Sequence, residues 1–146
     1  MEENKLCRVI ICDLKEAVNH LPEMLLKLGF NVKEVQLALV KPNICGRYNP
    51  SLELLSSIVE FLLPKAKSVV IGETSSIACK PNEQFEKLGV TPMIKRFGSS
   101  VQAVDLTDSE LVEVQVPQPH ALKKFFLPKK VLESDILVNV PKVGIL

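Results

Sequence analysis

Short apolar runs that alternate with helical segments are the feature that most constrains how this chain can fold. Continuous runs rich in Val, Ile and Leu are typical of strands that are buried on both faces. Five such runs occur: LCRVIIC at 6–12, EVQLALV at 34–40, SVVI at 68–71, VQAVD at 101–105 and DILVNV at 135–140. Because helices are predicted between most of them, the sequence indicates an α/β fold with an open, mostly parallel, twisted sheet and helices on both faces.

Capping residues and prolines mark the ends of the predicted helices. Asp13 and Glu16 form a capping box that predicts a helix up to Leu28. Pro22 lies inside this helix and predicts a kink near His20. The remaining helices are predicted after the cap Asn49-Pro50 up to about residue 63, at 82–88, from Thr91-Pro92 to residue 98, and as a single turn at 128–132.

Residues 111–127 depart from this pattern. The segment LVEVQV at 111–116 alternates strictly between apolar and other residues, which is typical of a half-exposed antiparallel strand. The segment LKKFFL at 122–127 is expected to return beside it. We therefore predict an antiparallel hairpin insertion at about 111–127.

Composition excludes several classes of protein. The chain has 146 residues, of which 47% are hydrophobic and 24% charged, with a formal net charge of +1. This apolar content is too high for a disordered chain, and the balanced charge offers no positive field to nucleic acid. No apolar run approaches the about 20 residues of a membrane span, and the N-terminus lacks the pattern of a signal peptide. We predict a single cytoplasmic domain over residues 1–146 that binds neither nucleic acid nor a membrane.

Polar residues follow three of the predicted parallel strands. Ligands of open α/β sheets bind at the carboxyl ends of the strands, so these residues form one candidate site. Lysines there would hold a carboxylate or phosphate, Gly72 would allow close backbone approach, and the remaining side chains would orient the ligand. The candidate ligand-binding residues are Lys41, Asn43, Gly72, Glu73, Thr74, Ser75, Asn139 and Lys142.

The function that follows is a small-molecule domain or enzyme that binds an anionic ligand. The competing interpretation is that these segments are ordinary solvated turns. The glycine-rich phosphate fingerprints are absent from the sequence, which disfavours dinucleotide and P-loop chemistry. No reaction, catalytic residue or cofactor is assigned, and whether the protein is an enzyme stays open.

Cys45 and Cys79 also fall in the predicted strand-end loops. They are weak candidates for a pair of soft metal ligands or for a redox pair. Two unconnected loop thiols are the favoured interpretation, because free thiols are the default in a reducing compartment and no C-x-x-C motif is present. No metal site is predicted.

A set of motifs resembles the uncharacterised family known as domain of unknown function 362. The motifs are LVKPN with YNP, VVIGETSS, FEKLG, VDL and LPKKVLESDILVNVPK, and together they extend over about residues 6–143. The most specific one places Asp135 before an apolar strand that ends in Asn139, Pro141 and Lys142. Many family members are associated with iron–sulfur proteins or carry a ferredoxin-like cysteine cluster. The resemblance implies an iron–sulfur partner at most, since this sequence lacks that cluster.

The family resemblance also bears on the extent of the domain. Family members usually continue beyond the Asn-x-Pro-Lys motif, so the resemblance implies that residues 1–146 are the N-terminal portion of a larger domain. The apolar run at residues 143–146 supports an alternative function. In this alternative the chain is a non-catalytic fragment or subunit that completes its sheet with a second copy or with another protein chain.

Overall fold

The computed structural model describes residues 8–46 and 49–141. The strands are β1 (Val35–Lys41), β2 (Ala66–Glu73), β3 (Val101–Asp105), β4 (Leu111–Gln115), β5 (Lys124–Pro128) and β6 (Ile136–Asn139). The helices are α1 (Leu14–Lys27), α2 (Leu52–Leu62), α3 (Pro81–Lys87), α4 (Val90–Lys95) and α5 (Lys129–Glu133).

A parallel sheet organises the described residues. Its strand order is β3-β2-β1-β6, and each neighbouring pair is parallel. The strands β4 and β5 form a separate antiparallel pair. These arrangements confirm the predicted α/β class with a parallel sheet and an antiparallel hairpin insertion.

Helices cover both faces of the sheet because side chains alternate along each strand. On one face, Ala38 of β1 belongs to a buried cluster that includes Val59 of α2. On the other face, Leu39 lies in a smaller buried cluster against which Val131 of α5 packs. The aliphatic residues of β1 are therefore buried on both sides, which explains the continuous apolar run in its sequence.

The first helix begins and bends as predicted. The side chain of Asp13 accepts a hydrogen bond from the backbone N–H of Glu16 at 2.8 Å. His20 leaves the helical conformation, with φ −123° and ψ 20°, two residues before Pro22. A kink results because proline removes a helical donor and its ring crowds the preceding turn.

The predicted caps of two other helices are wrong. Helix α2 is capped by Ser51, whose hydroxyl accepts from the N–H of Leu54 at 3.2 Å, and not by Asn49. Helix α4 begins after Gly89, which adopts a left-handed conformation with φ +78°, so it starts before the expected Thr91-Pro92 cap. Ser51 supplies a side-chain acceptor at the start of α2, and Gly89 supplies the left-handed conformation at the start of α4.

The predicted first strand is also wrong. Residues 8–12 are not in a strand, and the first two residues of the run lie outside the described part of the chain. Arg8 donates to the carbonyl of Lys27 at 3.3 Å, which places this end of the segment beside α1. Val9 and Ile11 are 79% and 94% exposed. Apolar composition does not make a strand without a neighbouring strand to supply hydrogen bonds.

The hairpin is joined to the start of α5. The backbone N–H of Lys129 donates to the carbonyl of Glu110, and their side chains form an ion pair at 2.8 Å. The hydrogen bond and the charge of Glu110 raise the pKa of Lys129 above its ordinary value. Across the described residues, no helix combines the length and apolar character needed to cross a membrane.

Candidate functional site

Polar residues from neighbouring strands meet at the carboxyl edge of the sheet. Lys41 is the register partner of Asn139, and Glu73 is the register partner of Asp105. Neighbouring strands lie about 4.8 Å apart, so these residues form a row across the sheet edge. The predicted placement of the strand-end residues at one edge is confirmed by the parallel topology, for those residues that the structure describes.

Lys41 and Glu73 form an ion pair at this edge. The Nζ atom of Lys41 lies 2.8 Å from Oε1 of Glu73. Glu73 is only 2% exposed, whereas the side chain of Lys41 is 35% exposed. A carboxylate removed from water is costly unless charges and donors surround it, so the pair explains how Glu73 tolerates burial.

Two backbone donors complete the surroundings of the Glu73 carboxylate. The N–H of Ile44 donates to Oε2 at 3.1 Å, and the N–H of Thr74 donates to Oε1 at 2.9 Å. Ile44 belongs to the loop after β1, and Thr74 begins the loop after β2. One buried carboxylate therefore holds both loops in place, and Glu73 acts as a positioning residue.

A second network extends the site to β3. The N–H of Ser75 donates to the hydroxyl of Thr107 at 2.7 Å, and the hydroxyl of Ser75 lies 3.3 Å from Oδ2 of Asp105. The other oxygen of Asp105 accepts from the N–H of Thr107 at 2.9 Å. These bonds fix the exposed Ser75 beside an acidic side chain.

Asp105 and Thr107 were missed as site residues in the sequence. The signal was present, because the run VQAVD ends in an acidic residue at the same sheet edge as the other strands. The residues that follow it read as an ordinary loop. Their hydrogen bonds to Ser75 depend on how two loops about 30 residues apart meet, which a local pattern does not reveal.

Gly72 has a packing role at this edge. A Cβ atom on Gly72 would lie 2.8 Å from Cδ1 of Leu39 and 2.9 Å from Cδ1 of Leu106. Real Cβ atoms do not approach other carbons so closely. The space that the sequence assigned to a ligand is filled on this side by leucine side chains.

The remaining predicted residues lie in the loop after β1, at the end of β6 and outside the described part of the chain. Asn43 is half-buried and has φ +55°, a left-handed conformation that asparagine tolerates better than most residues. Asn139 is exposed at the end of β6. Lys142 and the apolar run at 143–146 lie outside the described residues.

Cys45 and Cys79 are joined by a disulfide bond. The expectation of two unconnected loop thiols is therefore wrong. Their Cα atoms are 5.5 Å apart, although the residues are separated by 34 positions in the sequence. The bond joins the same two loops that the Glu73 carboxylate holds. Sequence spacing could not reveal it, since the approach of the loops depends on the pairing of β1 with β2.

Asp135, the acidic residue of the most specific motif, lies at the opposite end of the sheet. Its Oδ2 atom accepts from the N–H of Gln36 at 2.9 Å and from the N–H of Leu37 at 3.0 Å. Its own N–H donates to the carbonyl of Leu37. Asp135 thus joins the start of β6 to the start of β1, which is a structural role.

Other concave surfaces of the described part are mainly apolar. A groove of about 570 Å³ lies between α1, α2 and α4, where Val18, Leu52 and Met93 form much of its wall. A second cleft of about 310 Å³ lies between α1, α2 and β6. Within residues 8–46 and 49–141, no three His, Cys, Asp or Glu side chains are grouped so as to hold a metal ion.

These features define an α/β domain whose polar side chains converge at the carboxyl edge of a parallel sheet. The chain belongs to the family described as a domain of unknown function (DUF362), which matches residues 38–143, more than half of the chain. The match confirms the resemblance and includes both loops of the site. No curated protein and no solved structure matches the chain.

Proposed function

We propose that the strand-end site binds a small molecule that carries a carboxylate or phosphate group. The observation that carries the proposal is a partly exposed lysine side chain whose ammonium group is held by a buried carboxylate. Lys41 donates one hydrogen bond to Glu73 at 2.8 Å, and its side chain is 35% exposed. An ammonium group has three donors, and the bond to Glu73 is the one that Lys41 makes within the described part of the chain, so donors remain there for a ligand.

The charges along the sheet edge narrow the class of ligand. Glu73 compensates part of the charge of Lys41, and Asp105 adds a second carboxylate on the β3 side. A ligand with negative charge alone would be repelled by Asp105. The site fits a molecule that presents its anionic group to Lys41 and a hydroxyl or ammonium group to Ser75 and Asp105.

The other predicted residues receive different roles in this proposal. Asn43, Thr74, Asn139 and Lys142 remain expected ligand contacts. Glu73 acts indirectly, because its oxygens are occupied by Lys41 and by two backbone N–H groups. No residue is proposed as an acid, a base or a nucleophile, so the proposal is one of binding and does not extend to a reaction.

Calorimetric titration tests the site with phosphoserine, which carries anionic groups and an ammonium group, and with inorganic phosphate as an anion without an ammonium group. Lys41→Met should weaken binding of any hit by at least tenfold, because it removes the anion-binding charge. Lys67→Met is the matched control, since Lys67 is exposed on the same sheet near the opposite end of β2 and should leave binding unchanged. Equal affinities for wild type and Lys41→Met would contradict the proposal.

A second candidate function is supported by the open edge of the sheet. Strand β6 pairs with β1 on one side and is the last strand of the described sheet. Leu137 on β6 is 52% exposed, and Leu21, Phe30 and Phe61 line the cleft beside it. An unpaired edge strand with apolar surface favours addition of another strand. In this alternative a second copy of the chain completes the sheet. The partner that the family resemblance implies is an iron–sulfur protein.

Molar mass in solution tests the second candidate. Sedimentation of the purified chain should show a dimer, and Leu137→Lys should shift it to monomer by placing a charge on the edge strand. Leu132→Lys is the control, because Leu132 is 47% exposed on α5 and lies off the edge. A wild-type chain that stays monomeric at all concentrations would rule out self-association.

A further inference from the structure

The disulfide beside the candidate site points to a control mechanism. We propose that Cys45 and Cys79 form a reversible redox pair that governs the order of the two loops around the strand-end site. The inference concerns the regulation of that site and rests on the proposed function for its effect on a ligand. The effect of the disulfide on the order of the loops does not depend on a ligand and has its own measurement.

The two loops are connected at two levels. Near the sheet, Glu73 accepts hydrogen bonds from Ile44 of the first loop and from Thr74 of the second. Farther from the sheet, the disulfide joins Cys45 to Cys79. The near connection is polar and buried, so it remains when the disulfide is broken. The distal connection depends on the oxidation state of the two sulfurs.

The distal part of the second loop has little other support among the described residues. Ser76 and Cys79 exchange backbone hydrogen bonds at 2.9 and 3.3 Å, which forms a tight turn. Ile77 at the tip of this turn is fully exposed. Loops with few buried apolar contacts are the first parts of a protein to open locally. Without the disulfide, this turn should open more often than the sheet does.

The disulfide lies on partly exposed loops, and the fold should persist without it at reduced stability. Cys45 and Cys79 are both partly exposed loop residues, and we expect a small dithiol to reach the bond between them. The hydrophobic core includes neither cysteine, and Ile44 beside Cys45 is anchored in it independently of the bond. A cytoplasmic location, which the sequence predicts, also favours a reversible bond, because disulfides in reducing compartments are usually transient or redox-sensing.

The redox step is a thiol–disulfide exchange with a dithiol reductant. A thiolate of the reductant attacks one sulfur of the pair, and the bond between Cys45 and Cys79 breaks. The second thiolate of the reductant then attacks the reductant's own sulfur in the mixed disulfide and releases the second protein cysteine as a thiol. Two electrons and two protons pass to the protein, which gains two thiols, and the reductant becomes a disulfide.

The consequence for a ligand follows from the order of the loops. Asn43, Thr74 and Ser75 are predicted ligand contacts on the two joined loops. A loop that is already ordered loses less conformational entropy when a ligand binds. The oxidised form should therefore bind the anion more tightly than the reduced form, by at least fivefold.

The test uses the whole chain with Cys7→Ser and Cys12→Ser, so that Cys45 and Cys79 are the remaining cysteines. Alkylation and mass spectrometry count free thiols after dithiothreitol treatment and after reoxidation with oxidised glutathione. Hydrogen exchange is then measured in both forms. We expect two thiols to appear and disappear reversibly. We also expect the amides of Ser76 and Cys79 to exchange at least tenfold faster in the reduced form, while the amides of Val69 and Val70 in β2 stay much slower than those of the loop in both forms.

Two results would overturn the inference. One is loss of the folded state on reduction, or an unfolded Cys45→Ser/Cys79→Ser variant, since the bond would then be a structural requirement. The other is identical loop exchange in both redox forms. Phosphate and phosphoserine titrations of both forms separate this inference from the proposed function. If neither form binds either anion while loop exchange responds to reduction, the ligand site fails and the redox control of the loops stands.

Discussion

The Nζ atom of Lys41 lies 2.8 Å from Oε1 of Glu73, and that glutamate is 2% exposed. The pair joins the carboxyl ends of β1 and β2. The loops that follow these strands both donate backbone hydrogen bonds to the same carboxylate. The pair therefore links the parallel sheet to the geometry of the candidate site.

Lys41→Met should lower the free energy of unfolding by about 1–3 kcal/mol, because it leaves the buried carboxylate of Glu73 without its cation. The loss should be below the about 3–5 kcal/mol of a fully buried pair, since Lys41 is one-third exposed and water can partly solvate the pair. Urea denaturation measures the change.

The control for this prediction is Lys67→Met, which should stay within about 0.5 kcal/mol of wild type, as exposed substitutions usually do. A double-mutant cycle with Glu73→Gln should give a coupling of about 0.5–3 kcal/mol between the two side chains. A Lys41→Met loss no larger than the control would show that the pair does not support the buried carboxylate.

Gly72→Ala should destabilise the fold by about 1–3 kcal/mol through overpacking. The added methyl group would lie within 3 Å of Leu39 and Leu106, two buried leucines on one face of the sheet. Leu106→Val in the same chain should recover part of the loss by making space. Gly46→Ala is the control, because its nearest neighbouring atom would be 3.6 Å away. Thermal or urea unfolding that ranks the two glycine variants equally would refute the packing role.

Removal of the disulfide by Cys45→Ser/Cys79→Ser should lower the free energy of unfolding by about 2–4 kcal/mol. The bond closes a loop across a separation of 34 residues, which restricts the unfolded chain. In urea denaturation, the curves of reduced wild type and of the double variant should coincide. Oxidised wild type should unfold at a higher urea concentration. Cys12→Ser should leave the oxidised curve in place, since Cys12 is a free thiol.

Asp135→Ala should cost about 1–3 kcal/mol, because it removes the acceptor of two backbone N–H groups. The N–H groups of Gln36 and Leu37 both donate to this carboxylate where β1 and β6 begin. Their hydrogen exchange should accelerate, and anion binding at the opposite sheet edge should be unchanged. A variant with normal stability but impaired binding would instead indicate a functional role for Asp135.

Much of the sheet was predictable because its signals are local. The run VQAVD forms β3 at the expected positions, and the strict alternation at 111–116 forms β4 over Leu111–Gln115. Such patterns reflect which faces of a strand are buried, and a short window of sequence records that directly. The kink at His20 was predictable for the same reason, since Pro22 acts on its own helix.

The errors arose where a residue's role depends on distant parts of the chain. The apolar segment at 8–12 has strand-like composition but lies beside α1, with two of its residues exposed. Gly72 looked like a ligand-approach residue, and its neighbours Leu39 and Leu106 are 33 and 34 positions away. Neither relationship is visible in a local pattern.

From residue 13 onward, the sequence by itself determined the order of strands and helices and the polar character of the strand ends, because hydrophobic periodicity and capping act over a few residues. Tertiary structure alone decided that Lys41 meets Glu73, that Ser75 meets Asp105, and that Cys45 and Cys79 are bonded. These contacts join residues about 30 or more positions apart. They depend on strand register and on the paths of two loops, which the packing of the whole sheet establishes.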